Sequence, residues 1–266
     1  MNDFPSAMET DDLAALKDAT RHLEHPSLAV RLSSIIGTPI DIAIKLLPRP
    51  IYKRTRAVAE TAIEKSFKAA LSSLRHTQYS NPNDHMYRLL AAGTGAAGGL
   101  FGVYSLPFEL GISTTIMLRS IAEIARANGE DLHDPESQAA CLEVFALGGE
   151  SEDDDAADTG YYGIRLALAW PVTHAAHHLA RNGLVAEGPM LTTLISAVSA
   201  RFGIAVSQKM AAVMVPVMGA AGAATINTVF LTHFQEMAHG HFIVRRLERK
   251  YGKELVKANY EKFVNA

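Results

Sequence analysis

Apolar residues recur at intervals of three and four along nearly the whole chain, whereas alternation with a period of two is missing. That spacing places apolar side chains on one face of an α-helix, so the sequence predicts an all-α fold. The apolar stripe of the long segment 50–77 holds Val58, Ala62, Ile63, Phe67, Ala70, Leu71 and Leu74. We expect a single-domain helical bundle over 28–266 with central Ala/Gly-rich helices, preceded by a polar segment over 1–27.

Proline, glycine and asparagine residues divide this pattern into separate predicted helices. A cap, an N1 proline and a first-turn acid at Asp134-Pro135-Glu136 mark one helix start clearly. Pro171 is expected to kink or offset the helix that it interrupts. The predicted helices cover 11–23, 28–36, 39–47 (a compact turn or helix), 50–77, 85–104, 107–128, 135–147, 159–181, 189–215, 216–239, 240–250 and 253–264.

Two stretches carry no formal charge: 20 residues from Leu89 to Phe108 and 26 residues from Met210 to Gln235. Each is long enough to cross a membrane. Their Ala, Gly, Ser and Thr content weakens that interpretation, and Glu109 directly follows the first stretch. Three interpretations stay open: central helices of a bundle, a spanning or reversibly inserting hairpin, and a helix lining an apolar ligand cavity.

The glycine spacing in the first stretch favours close helix packing. Gly95 and Gly99 are four residues apart, as are Gly98 and Gly102, which is the pattern of helices whose backbones approach closely. The string Gly93-Thr-Gly95-Ala-Ala-Gly98 also fits G-x-G-x-x-G, but a dinucleotide site needs that motif on a strand-to-helix turn. The preceding residues are helical in pattern, so we treat this match as accidental.

Composition narrows the possible classes of function. The 266 residues include 25 Lys+Arg and 28 Asp+Glu, for a formal net charge of −3, so bulk charge does not favour nucleic-acid binding. The single cysteine, Cys141, excludes a disulfide scaffold and a cysteine-rich metal site. The opening residues 1–12 are acidic and do not predict a secretory signal. Residues 150–158 carry six acids and predict a solvated loop.

Positive charge gathers in a basic cluster beside the apolar segment 40–47. Five bases and no acid lie within twelve residues, namely Lys45, Arg49, Lys53, Arg54 and Arg56. A cationic face next to an apolar segment suits the surface of an anionic membrane. The alternatives are a solvated helix end and, less favoured because aromatic residues are few here, nucleic acid.

A second pattern is typical of a divalent metal site. Glu236-x-x-His239 is the unit that helical di-metal carboxylate proteins use twice, and His174 and His178 share one helical face. A bundle that gathered these side chains would offer nitrogen and oxygen ligands to iron, manganese or zinc. The chain has only one Glu-x-x-His unit and no H-E-x-x-H, so a helical metal-dependent enzyme is an alternative hypothesis.

Two acids in apolar helices, Glu109 and Glu143, are candidates for acid/base chemistry with raised pKa values. Pairing with Arg119 or Arg165 explains them equally well. Cys141 lies in an apolar run and predicts an inert, buried thiol. No motif for nucleophilic catalysis occurs.

The C-terminal string His241-Phe-Ile-Val-Arg-Arg-Leu-Glu-Arg-Lys-Tyr-Gly252 is the most distinctive local sequence. Arg245 and Arg249 are one helical turn apart in this string, as are Arg246 and Lys250. The helix is predicted to end at Tyr251-Gly252. These bases are expected to pair with the acids of 150–158 or to meet a partner or a phosphate-bearing surface.

Together these strings resemble the EcsC protein family of bacteria, over about residues 28–260. The likeness lies in the glycine-rich run 93–102 followed by 118–125, Asn128-Gly-Glu-Asp-Leu132, 141–149, Gly160-Tyr-Tyr, Pro216 with Gly219 and Asn227, and 241–252. One departure concerns Asn128-Gly129, which stands where we expect tyrosine-glycine and keeps the cap without the aromatic ring.

The resemblance implies a helical protein that is cytoplasmic or membrane-associated. The family is named after a component encoded beside an ABC transporter and linked to secretion and intramembrane proteolysis; it implies no catalytic residues. We therefore expect a protein peripheral to the inner membrane on its cytoplasmic side. It would bind lipid or an apolar ligand, or accompany a transporter or protease membrane complex. A protein-interaction scaffold is the third hypothesis, and oligomeric state stays open.

Overall fold

The computed structural model of the chain describes residues 5, 7–24, 27–45, 47, 49–74, 82–101, 106–149, 160–182, 189–215 and 219–265. The described residues form an all-α fold. In chain order the helices are α1 Thr10–Glu24, α2 Leu28–Ile36, α3 Ile40–Lys45, α4 Arg49–Leu74, α5 Asp84–Phe101, α6 Leu106–Ala127, α7 Pro135–Leu147, α8 Tyr161–Asn182, α9 Pro189–Val213, α10 Gly219–Tyr251 and α11 Lys253–Val264.

Local capping chemistry explains the helix starts that were predicted most closely. At the start of α7 the Asp134 carboxylate accepts a hydrogen bond from the Glu136 backbone N–H, and Pro135 occupies the first turn. Before α11, Gly252 adopts φ +84°, a conformation that glycine reaches without strain. The sequence therefore predicted both helices with their observed bounds.

One prediction was wrong. The sequence suggested separate segments over 216–239 and 240–250, whereas α10 runs unbroken from Gly219 to Tyr251. A Cβ on Gly240 would lie 2.6 Å from Leu23 Cγ and 3.0 Å from the Ala19 carbonyl oxygen. Gly240 therefore lets α1 approach α10 closely and does not end the helix.

Helix α10 organises the packing. It contacts α5, α1 and α6 along its length, while α4 packs across α6 and α9, and α7 packs between α8 and α9. Every residue of α7 from Ser137 to Ala146 is buried, as expected for a helix enclosed on all sides. The centre of the core is a group of aromatic rings with neighbouring centroids 4.7–6.1 Å apart, formed by Phe145, Phe202, Phe230 and Phe234.

The contact between α5 and α10 is unusually close. A Cβ on Gly95 would lie 2.6 Å from the Ala223 carbonyl oxygen and 2.7 Å from Asn227 Cβ. Asn227 donates through Nδ2 to the Ala91 carbonyl oxygen at 2.8 Å and to Thr94 Oγ1 at 2.9 Å. The two helices run antiparallel, and this amide fixes their register.

The close contact makes a prediction about two glycines on the same helix. Gly95→Ala should lower the free energy of unfolding by about 1–3 kcal/mol, because the added methyl group meets the α10 backbone. Gly93 has nothing within 4 Å of an added Cβ, so Gly93→Ala should raise stability by about 0.5–1 kcal/mol through helix propensity. Urea unfolding of both variants measures the difference, and equal effects would contradict the close approach.

Candidate functional site

The two uncharged stretches meet at one end of the bundle. The first covers most of α5 and the start of α6, and the second covers the end of α9 and the first half of α10. Gly95 joins them through its contact with Ala223 and Asn227. We call the described residues of 89–108 and 210–235 the uncharged end. In the second stretch α9 ends at Val213 and residues 214–215 are not helical, so this stretch does not form one continuous helix.

An exposed apolar surface lies on this part of the molecule. On α5 the side chain of Leu89 is 62% exposed, and at the start of α6 that of Phe108 is 75% exposed. We define the α5 stripe as the exposed, uncharged residues on one face of the helix: Met86, Leu89, Leu90, Gly93 and Ala97. Single exposed apolar residues are ordinary, but a continuous stripe marks an interaction surface.

A buried ion pair borders the uncharged end. Lys209 Nζ lies 3.0 and 3.1 Å from the two carboxylate oxygens of Glu109, and both side chains are buried. Ser113 Oγ lies 3.5 Å from the ammonium, and the Phe230 ring centroid is 5.0 Å away. Glu109 directly follows the first stretch and Lys209 directly precedes the second. The two charges that flank the stretches thus neutralise each other.

The partner of Glu109 differs from the arginines that the sequence suggested. Arg165 instead makes a bidentate pair with Glu248 at 2.7 and 3.0 Å. Sequence reasoning missed Lys209, although one signal was present: it is a lone charge in the apolar run 203–213, where an unpaired ammonium would be costly. A lone base in an apolar helix therefore indicates a buried acidic partner elsewhere.

The basic cluster is described in part. Arg56 is exposed and donates to Ser196 Oγ at 3.3 Å, and Lys45 is exposed at the end of α3. Beside Arg56, Thr55 accepts a hydrogen bond from Ser207 at 3.0 Å, so the start of α4 lies on α9 close to Lys209. The predicted side chains that lie outside the described residues are those of Arg49, Lys53 and Arg54.

The residues suggested as metal ligands each have a different partner. Glu236 pairs with Arg31 at 2.5 Å, and His239 pairs with Asp84 at 2.8 Å. On α8, Nδ1 of His174 lies 2.8 Å from its own helix's Trp170 carbonyl oxygen, and His178 contacts Asn182. Across the described ranges, no three His, Cys, Asp or Glu side chains are grouped to hold a metal ion. The four residues are therefore not brought together.

Three of the four bases of the C-terminal string, Arg245, Arg249 and Lys250, pair with acids elsewhere in the protein. Glu130 accepts hydrogen bonds from Arg245 Nε at 2.9 Å, from Ser137 at 2.6 Å and from Arg249. Burial by itself raises the pKa of Glu130, but the hydrogen bonds and charge of Arg245 outweigh it, so the pKa is lowered. Lys250 pairs with Asp12 at 2.8 Å. The acids of 150–158, suggested as partners, lie outside the described residues.

Three buried polar side chains, Glu143, His241 and Tyr161, form a chain through the core. The Tyr161 hydroxyl is 3.0 Å from His241 Nδ1, and His241 Nε2 is 3.6 Å from Glu143 Oε2. Burial raises the pKa of Glu143 and lowers that of His241 well below its usual range. Both shifts favour the uncharged forms of Glu143 and His241. The three polar side chains are therefore buried together without a net charge.

Tyr161 also lines a cavity of about 160 Å³, whose wall comes from α1, α2, α7, α8, α9 and α10. The buried His233 forms part of its wall, with Nε2 at 2.8 Å from the Gly148 carbonyl oxygen. Burial lowers the pKa of His233 from 6.5 to about 4, so its imidazole is neutral at physiological pH. A neutral imidazole that donates from Nε2 keeps an acceptor lone pair on Nδ1.

Comparison with known families agrees with this architecture. A family model described as the EcsC protein family matches residues 11–247, from α1 to within α10. The chain belongs to the EcsC family. No curated protein and no solved structure matches the chain. The EcsC match confirms the resemblance found in the sequence, and it includes both uncharged stretches, the ion pair and the cavity.

The buried pair of this EcsC-family protein makes a prediction about stability. Lys209→Met leaves the Glu109 carboxylate buried without its partner and should lower the free energy of unfolding by about 3–5 kcal/mol. The double variant Lys209→Met/Glu109→Gln removes both charges and should recover most of that loss. Urea unfolding measures the coupling between the two sites. The pairing would be contradicted if the loss of unfolding free energy in the double variant equalled the sum of the losses in Lys209→Met and Glu109→Gln.

A second prediction concerns pH. Because the pKa of His233 is about 6.5 unfolded and about 4 folded, only the unfolded chain takes up this proton between those values. His233 therefore lowers stability as the pH falls through that window, by about 1.4 kcal/mol per pH unit. His233→Gln should reduce the slope of unfolding free energy against pH by that amount between pH ~6 and ~5.

The matched control for this slope is His177→Gln, because His177 is exposed on α8. It should keep the wild-type slope. The test compares the slopes of the two variants with each other. The wild-type slope alone is not enough, because the raised pKa of Glu143 increases stability as the pH falls, opposite to the effect of His233. An unchanged slope in His233→Gln would show that His233 titrates normally in the folded protein.

Proposed function

We propose that this EcsC-family protein binds the surface of an anionic membrane through its uncharged end and the α5 stripe. The observation that carries the proposal is the exposure of Leu89 and Phe108 within a stretch that has no formal charge. A helix with such a face lies in the plane of the membrane interface, with its apolar side chains among the lipid chains.

The size of the apolar surface supports this mode of binding. Burying one Leu or Phe side chain contributes about 1.5–3 kcal/mol, so three or four such residues supply several kcal/mol. The large exposed residues available are Met86, Leu89, Leu90, Phe108 and Ile112. Binding energy of this size favours reversible attachment, which suits a peripheral protein.

The helices fit a protein that lies on the membrane surface better than one that spans the membrane. Within the described ranges, α9 is the helix long and apolar enough to cross a membrane by length and composition, with a mean hydropathy of 1.5. Of that window, 56% is buried inside the protein, as in the core helix of a bundle. The exposed apolar side chains on which the proposal depends, such as Leu89 and Phe108, instead lie on α5 and α6.

The basic cluster supports the choice of an anionic surface. Each Lys or Arg near such a surface contributes about 1 kcal/mol, and the attraction falls as salt screens it. Lys45 and Arg56 lie at the junction of α3 and α4, next to the part of α9 that precedes Lys209. The proposed location is the cytoplasmic side of the inner membrane, and the basic cluster supports it.

Flotation with vesicles tests the proposal. The wild-type protein should float with phosphatidylglycerol vesicles, and 0.5 M salt should weaken this without abolishing it. Leu89→Glu/Leu90→Glu puts two carboxylates on the α5 stripe and should reduce the bound fraction by about tenfold or more. Because both leucines are exposed, circular dichroism and the unfolding midpoint should stay unchanged.

The control variant is Val264→Glu, which changes an exposed apolar residue at the end of α11. It should float like the wild type. The proposal fails if the wild-type protein stays out of the vesicle fraction with anionic lipid. It also fails if the leucine double variant floats as well as Val264→Glu.

A further inference from the structure

Met86 is the exposed methionine within the described part of the chain. It is 42% exposed on the first turn of α5, whereas Met117 and Met237 are 1% and 3% exposed. The other described methionines are buried or half-buried, namely Met8, Met190, Met210 and Met214. An oxidant in water therefore reaches the thioether of Met86 more readily than those in the core.

Local contacts hold Met86 on the outside of the bundle. Its backbone N–H donates to Asn83 Oδ1 at 3.0 Å, a side-chain cap on the first turn of α5. The next residue, Tyr87, is buried, and its hydroxyl donates to Glu123 on α6 at 2.6 Å. Because Tyr87 is anchored inward, the start of α5 cannot rotate to bury Met86.

Met86 shares the exposed face of α5 with Leu89 and Leu90. Residues three and four apart on a helix are neighbours, so these three exposed side chains form one patch of the α5 stripe. Burying a methionine side chain is favourable to about the same extent as burying a leucine. A polar group introduced at Met86 would therefore enter the surface that is proposed to lie among the lipid chains.

Oxidation supplies such a polar group. The Met86 sulfur attacks one oxygen of hydrogen peroxide, the O–O bond breaks, and the proton on the transferred oxygen passes to the departing hydroxide to give water. The thioether is thereby oxidised to a sulfoxide and the peroxide is reduced. The sulfoxide oxygen is a strong hydrogen-bond acceptor, so burying it among lipid chains without a donor is costly.

The change is reversible. Methionine sulfoxide reductases return the sulfoxide to the thioether, with two thiols supplying the electrons and the oxygen leaving as water. A single exposed side chain can therefore exist in an apolar and a polar form without any change in the fold of the bundle.

We propose that Met86 is a reversible oxidation site that regulates attachment of the α5 stripe to the membrane. The thioether form favours attachment, and the sulfoxide form favours release. The regulatory role rests on the proposed membrane function, whereas the assignment of Met86 as the oxidation site does not.

Peptide mass spectrometry tests the site without any lipid. When the full chain is treated with a limiting amount of hydrogen peroxide, Met86 should form its sulfoxide about tenfold or more faster than Met117 and Met237, which are shielded from the oxidant. The assignment is overturned if Met86 reacts no faster than these two buried methionines.

Flotation with phosphatidylglycerol vesicles tests the regulation. Oxidised wild-type protein should bind about threefold or more weakly than its untreated sample, and a sulfoxide reductase should restore binding. Met86→Leu cannot form the sulfoxide, so its peroxide-treated and untreated samples should bind equally. The control, Met190→Leu, removes a half-buried methionine at the start of α9 and should lose binding on oxidation as the wild type does.

The regulation is overturned if oxidised wild-type protein binds like its untreated sample, or if peroxide weakens binding by Met86→Leu as much as by the wild type. A different result, in which untreated wild-type protein does not float, overturns the proposed membrane function and the regulation with it. In that event the peptide analysis still decides whether Met86 is the oxidation site.

Discussion

The fold depends on how closely α5 can approach α10. Around Gly95 the side chains of this contact are small or absent, and two buried amides of α10, Asn227 and Gln235, hydrogen-bond to α5. Apolar burial is not directional, so two helix faces of Ala and Gly alone would not fix one register. The amides and the glycine contact fix it, because each is made in one register only. Helix α6 packs against both members of this pair.

Charge is distributed along α10 in a way that follows from this packing. Its first half is uncharged and lies against α5 and α6, while its second half carries Arg245, Glu248 and Arg249. These groups are neutralised by partners on α6–α7 and α8, such as Glu130 and Arg165. Buried ion pairs contribute little net stability, but they penalise any arrangement in which one partner is lost. We infer that they select one bundle geometry among several that would bury similar apolar area.

Sequence reasoning succeeded where the deciding interactions are local. Asp134-Pro135 at the start of α7 and Gly252 before α11 act within a few residues, so their helices were predicted with the observed bounds. It failed at Gly240, because that glycine meets Leu23, more than two hundred residues away in the sequence. The partner of Glu109 was missed for the same reason: the sequence suggested Arg119 or Arg165, but only the fold brings Lys209 to it. The cavity was also not predicted, since its wall comes from six helices.

The register contact between α5 and α10 also has a consequence for the order in which the protein is made. Asn227 and the Ala91 carbonyl oxygen are 136 residues apart in the sequence. At a synthesis rate of roughly 5–20 residues per second, α5 leaves the ribosome on the order of ten seconds before its partner. During that interval its glycine-rich face has no neighbour, and contacts so distant in sequence form slowly. Nascent α5 therefore exposes this face to solvent, chaperones or lipid until α10 emerges.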